Sequence, residues 1–95
     1  MIVLRFKATA RPDRADDLAA ALSAVVAPSL ALDGVVSFDV GRDVTDPNSF
    51  VALEIFENEA AMKAQDALSE TEAAKALMPE TLAGPPEVAM YEVSG

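Results

Sequence analysis

Glu54 has the clearest chemical prospect in this 95-residue chain. It lies in the run Phe50-Val51-Ala52-Leu53-Glu54-Ile55-Phe56. A strand's two-residue alternation puts Phe50, Ala52, Glu54 and Phe56 on one face, and Val51, Leu53 and Ile55 on the other. Both faces are otherwise apolar, as in a central strand covered on both sides. A carboxyl among such neighbours is desolvated, which raises its pKa toward that of a working general base. The plainer account is an acid satisfied by a backbone group, or by Arg5 or Lys7. Phe6, Phe38, Phe56 and Met62 are the side chains to wall an aromatic pocket between sheet and helices. Their alternative is ordinary core packing, at roughly 1.5–3 kcal/mol per buried side chain. Asn58 offers an amide to a substrate, or a cap to a helix. Tyr91, the single tyrosine, offers a pocket hydroxyl or strand packing. Arg42 suits an anionic substituent or a surface ion pair.

Composition narrows the chemistry. The chain has no cysteine and no histidine. That removes disulfides and thiolate nucleophiles, Ser-His-Asp catalysis, a proximal haem histidine and the commonest zinc ligand sets. A formal charge of −9 repels phosphate backbones and anionic membranes, arguing against nucleic-acid and membrane partners. The opening MIVLRFKATAR reads as a strand, not a signal peptide. No apolar run approaches the roughly 20 residues of a membrane span. A cytoplasmic location is the expectation.

The elements that must position these residues are legible in order. Ile2 to Thr9 alternates as a strand, with Arg5 and Lys7 on one side. Pro12 and Asp13 open a helix whose Leu18, Leu22, Val25 and Ser29 recur at helical spacing. Pro28 predicts a kink or an early end, and Gly34 a left-handed residue closing the segment. Val35 to Arg42 alternates cleanly, as a more peripheral strand with one wet side. Asp46-Pro47-Asn48 has the chemistry of a type I turn, giving a hairpin with a longish loop into Ser49 to Phe56. Asn58 starts a helix of small residues. Ser69 to Met78 reads as a second helical piece, with Glu72 completing a capping box and Pro79 ending it. Glu87 to Val93 forms a last strand suited to an edge.

The order β-α-β-β-α-β predicts a single α+β domain over residues 1–95. Its class is ferredoxin-like: a four-stranded antiparallel sheet with helices on one face. The sheet's uncovered side is also greasy, which predicts a homodimer burying on the order of 800 Å² per partner.

In this order and length the chain resembles the antibiotic biosynthesis monooxygenase family, of the dimeric α+β barrel group. Arg11-Pro12-Asp13 looks like the family's entry to its first helix, and Asp33-Gly34-Val35-Val36 like its turn into the second strand. Glu54, Phe56, Asn58, Ala60, Ala61 and Met62 fall on the family's Glu-x-aromatic-x-Asp-x-x-Ala-Leu spacing. The chain departs from the pattern at Phe56, where many members have tryptophan, and at Gln65, where they commonly have histidine. A second family histidine would fall near Thr71. The resemblance therefore argues against the haem-degrading branch. It implies instead a cofactor-independent monooxygenase acting on a small hydroxylated aromatic or quinol. There Glu54 or Gln65 polarises the substrate, and Phe38, Phe56, Asn58, Met62 and Tyr91 shape the site. Gln65 as a solvated helix residue is the competing account. A non-catalytic homodimer that binds a small apolar molecule, or serves as an accessory partner, is the alternative function.

Overall fold

Two central strands carry the structure, a computed structural model describing residues 1–94. Strand β1 (Ile2–Thr9) pairs antiparallel with both β3 (Asp46–Phe56) and β4 (Glu87–Glu92), and β2 (Val35–Asp43) pairs with β3. The sheet order β2-β3-β1-β4 is that of the expected ferredoxin-like α+β fold. Both edge assignments hold. Helices α1 (Ala15–Leu30), α2 (Glu59–Asp66) and α3 (Ser69–Thr81) complete the chain, and a 3-10 turn at Pro12–Arg14 leads into α1.

Register decides which side chains meet. Leu4 lies opposite Glu54 on one side and Met90 on the other, while Phe38 lies across β3 from Glu54. Directly opposed residues share a face. The helix-side face therefore carries Leu4, Phe6, Phe38, Ala52, Glu54 and Met90. The outer face carries Val3, Arg5, Lys7, Leu53, Ile55 and Tyr91.

Three packed groups fill the helix side. Leu18 and Leu22 of α1 meet Ala8, Phe50 and Leu82. Ile2, Phe56 and Ala61 form a second group beneath α2, and Val25, Phe38 and Ala74 a third between α1, β2 and α3. Strand β4 is different. Its main contacts are with β1, and Val88 and Met90, on its helix side, are 61% and 55% exposed. No helix roofs that edge.

Several local expectations need correction. Pro28 lies inside α1, which continues to Leu30; a proline in the last turn costs only the bond to Ala24. Likewise α3 passes through Pro79 to Thr81. Asp13 caps nothing, and no side chain caps α3, because Ser69 Oγ turns to Glu70. The hairpin loop is short. β3 already begins at Asp46, pairing with Asp43, and Asp43 Oδ1 accepts from both the backbone NH and the hydroxyl of Thr45. An Asx-type turn thus replaces the expected longer one. A bulge between Val35 and Ser37 leaves Val36 half exposed.

Among the described residues Gly34 is the one position where backbone freedom is required. Its φ is +82°, and a Cβ there would lie 2.8 Å from Ala61 Cβ on α2. Its carbonyl accepts from Glu57 NH at 2.8 Å, tying the start of β2 to the end of β3. Gly34→Ala should therefore destabilise the fold by about 2 kcal/mol or more, read as a drop in the urea midpoint at unchanged slope.

Candidate active site

A cavity of about 490 Å³ lies between the helix side of the sheet and helices α2 and α3. Its walls are overwhelmingly apolar: Leu4, Phe6, Phe38, Ala52, Val88 and Met90 from the sheet, with Leu22, Val25, Met62, Ala74 and Met78 from the helices. It exists because the helices pack toward β2 and β3 and leave β4 bare. The volume is in the range that holds a small organic ligand.

Glu54 projects from the floor of this cavity, and the residue is 8% exposed. Arg5 and Lys7 cannot reach it, because they point from the opposite face of the sheet; Lys7 pairs instead with Asp43 at 3.6 Å. Among the described residues the Glu54 carboxyl has no hydrogen-bond or ion-pair partner. Nor is any partnerless side-chain oxygen among them sealed from the surroundings, so it faces the cavity space. Burial, and secondarily the nearby Asp66 carboxylate, push its pKa up to about 7. A carboxyl at this value exchanges its proton readily near neutral pH, as a general base requires.

The other charged groups stand on the helices. Asp66 is paired with Lys75, and Lys63 with Glu59 at 3.1 Å, so each lysine is engaged by a carboxylate other than Glu54. The strands β1, β2 and β4 and helix α1 line the cavity with apolar side chains only. Glu54 is thus the one ionisable group of the sheet wall. Among the described residues no group of three or more Asp or Glu side chains is arranged to hold a metal ion.

Gln65 is buried, not a solvated helix residue. Its Nε2 donates to Ser29 Oγ of α1 at 3.2 Å and to Thr71 Oγ1 of α3 at 3.1 Å, joining three helices at the cavity wall. The two positions where the family resemblance directs attention to histidine, 65 and 71, are therefore bonded to each other. Phe38 and Met62 also line the cavity.

Three of the expected contacts lie elsewhere. Phe56 shares the face of Glu54 but is fully buried under α2, against Ile2 and Ala61. Asn58 Oδ1 accepts from Ala61 NH at 2.9 Å, which commits its acceptor to capping α2. Tyr91 pairs with Val3 and so faces the outer side of the sheet, 58% exposed. Arg42 is also remote, stacked over Phe50 at 4.8 Å and 3.8 Å from Asp16. In their place the cavity takes Leu4, Met78, Val88 and Met90. Met90 and Val88 were within reach of the alternation in the last strand, since they share parity with Leu4's partner.

The comparisons with known proteins agree with this architecture. The sequence profile described as "Antibiotic biosynthesis monooxygenase" matches residues 1–77. The Bacillus subtilis (strain 168) protein named "Putative monooxygenase YcnE" is 30% identical over 94 residues, covering 99% of each chain. The chain belongs to the antibiotic biosynthesis monooxygenase family. Rv0793 from Mycobacterium tuberculosis superposes with a TM-score of 0.90 at 22% identity, covering 99% of this chain and 95% of that one. PA3566 from Pseudomonas aeruginosa gives 0.88 at 24% identity, covering 98% and 94%. These structures share the fold. Family membership supports a monooxygenase-like role in general terms and leaves the substrate to the chemistry of the cavity. No helix among the described residues is long and apolar enough to cross a membrane.

Proposed function

We propose that this protein is a monooxygenase for a small hydroxylated aromatic or quinol, with the substrate itself supplying the electrons. The observation that carries this is the Glu54 carboxyl, unpaired and directed into an apolar cavity, with its pKa raised to about 7. Glu54 removes a proton from the bound substrate and leaves an electron-rich ring. That ring reduces O2. One oxygen atom stays on a ring carbon as a hydroxyl. The other leaves as water, with the two hydrogens the quinol loses in becoming a quinone, so the electron count closes without an external reductant. The apolar walls keep bulk water from the reacting carbanion and hold the ring flat against the strands.

Oxygen-electrode measurements with a panel of quinols and anthrones test this directly. Substrate-dependent uptake with an oxygenated product is expected. Saturable binding of the same compounds without uptake would instead make the protein a non-catalytic carrier of small aromatic molecules.

The reading includes a homodimer. The outer sheet face bears Val3, Val51, Leu53, Ile55, Ala89 and Tyr91, with Leu53 42% and Tyr91 58% exposed. Arg5 and Lys7 interrupt this surface, and a second copy laid sheet to sheet would cover the apolar side chains around them, which are costly to leave in water. Sedimentation velocity should give twice the 9.9 kDa chain mass, and Leu53→Glu should reduce it to one. A wild-type protein sedimenting as a single chain would remove the dimer from the proposal.

A further inference from the structure

The amide of Gln65 is held between two hydroxyls whose hydrogens are already committed. Ser29 Oγ donates to the Val25 carbonyl at 2.7 Å, and Thr71 Oγ1 donates to the Gln65 backbone carbonyl at 2.8 Å. Each hydroxyl oxygen can then only accept, and each accepts from Gln65 Nε2. A primary amide has two N–H donors, and both are thereby used. Turning the amide over would set Oε1 against two oxygens with no hydrogen to give. The neighbours therefore fix its orientation, and Oε1, without a protein donor, is left at the cavity wall.

We infer that Ser29 and Thr71 are positioning residues that lock Gln65 as a hydrogen-bond acceptor in the cavity, so that the site selects ligands bearing a hydroxyl over ligands bearing a carbonyl at the same carbon. This rests on the cavity being the aromatic site proposed above. Glu54, the polar group of the sheet wall, is also acceptor-only once ionised, and the lysines at the rim, Lys63 and Lys75, are largely exposed and paired with Glu59 and Asp66. A carbonyl oxygen brought to this wall meets lone pairs and leaves a buried acceptor unpaired, whereas a hydroxyl satisfies it. The reduced substrate is thus retained, and the carbonyl-bearing product is held less firmly and departs.

The test is isothermal titration of the intact protein at a pH well above the Glu54 midpoint. The ligands are 1-naphthol and 1-tetralone, bicyclic compounds of similar size with a hydroxyl or a carbonyl at the same carbon. Naphthol should bind about tenfold more tightly or better. In the double variant Ser29→Ala/Thr71→Val the amide is free to turn and the ratio should fall toward one, while in Thr71→Val, which keeps the Ser29 half of the lock, it should fall between. A general loosening of the cavity would weaken both ligands together and leave the ratio intact. Thr71→Val is nearly isosteric at a partly buried site, and circular dichroism melting confirms that each variant is folded. Equal affinities in the wild type, or a ratio unchanged in the folded double variant, would overturn the inference while leaving the aromatic site standing. Failure of both ligands to bind would overturn the two together.

Discussion

Glu54→Ala should lower substrate-dependent oxygen uptake by about 10²–10⁴-fold, the range general-base catalysis commonly supplies. Glu54→Gln should lose nearly as much, because it keeps the shape and polarity of the side chain while removing the site of protonation. Ligand affinity measured anaerobically should change far less than turnover in the Gln variant. That split separates a base from a residue that merely fills space.

The same substitution carries a stability signature of known sign. Folded Glu54 holds its proton up to about pH 7, whereas an unfolded glutamate releases it lower. Between those values the folded state binds the extra proton, so stability falls as pH rises. The contribution is fully present below the unfolded glutamate value and lost as pH climbs through about 7. The magnitude is on the order of 3 kcal/mol, and solvent screening reduces it. Glu54→Gln should therefore melt higher than wild type on the alkaline side and converge with it in acid. A site residue whose removal stabilises the protein is one kept for reactivity and not for folding. Identical pH dependence of melting in the two proteins would argue that the carboxyl is solvated in the folded state.

Phe56→Ala should be the most damaging single core change, at about 3–5 kcal/mol. The ring is fully buried between the end of β3 and α2, where Ile2 and Ala61 close around it. For a domain whose total stability is on the order of 5–15 kcal/mol, that loss leaves little margin. Phe56→Leu keeps most of the apolar area and should cost clearly less. Because Phe56 lies outside the cavity, the Leu variant should bind aromatic ligands as the wild type does. A large loss of affinity in a fully folded Phe56→Leu protein would move the ring into the binding site.

These two residues mark what the sequence can and cannot tell. Two-residue alternation settles that Glu54 and Phe56 share a face, and the packing of the helices makes that face the helix side. Alternation says nothing about where along the strand a helix will land. Phe56 packs against α2 and becomes core; Glu54, two residues earlier, faces the cavity that α2 and α3 leave above the sheet. Tyr91 was legible by the same parity, since it alternates with Met90, and it was the phenol's chemical appeal that argued otherwise. Asn58 illustrates a second limit: one acceptor already engaged by a helix NH is not free for a ligand. The environment of Gln65 was out of reach. Its partners, Ser29 and Thr71, stand on two other helices, 36 and 6 residues away, and only the packed tertiary structure brings their hydroxyls to one amide. Pro28 and Pro79 show the opposite failure. One missing bond in a final turn is too small a penalty to stop a helix that is otherwise well packed.

The bare edge at β4 has a consequence for how such a protein diversifies. Val88 and Met90 border the cavity yet belong to none of the three packed groups, so exchanging them alters what is admitted without disturbing what keeps the chain folded. Mutation at these positions is close to neutral for the scaffold and consequential for the guest. A lineage can thus drift from one aromatic skeleton to another through this margin while Glu54, seated on a central strand, stays where it is.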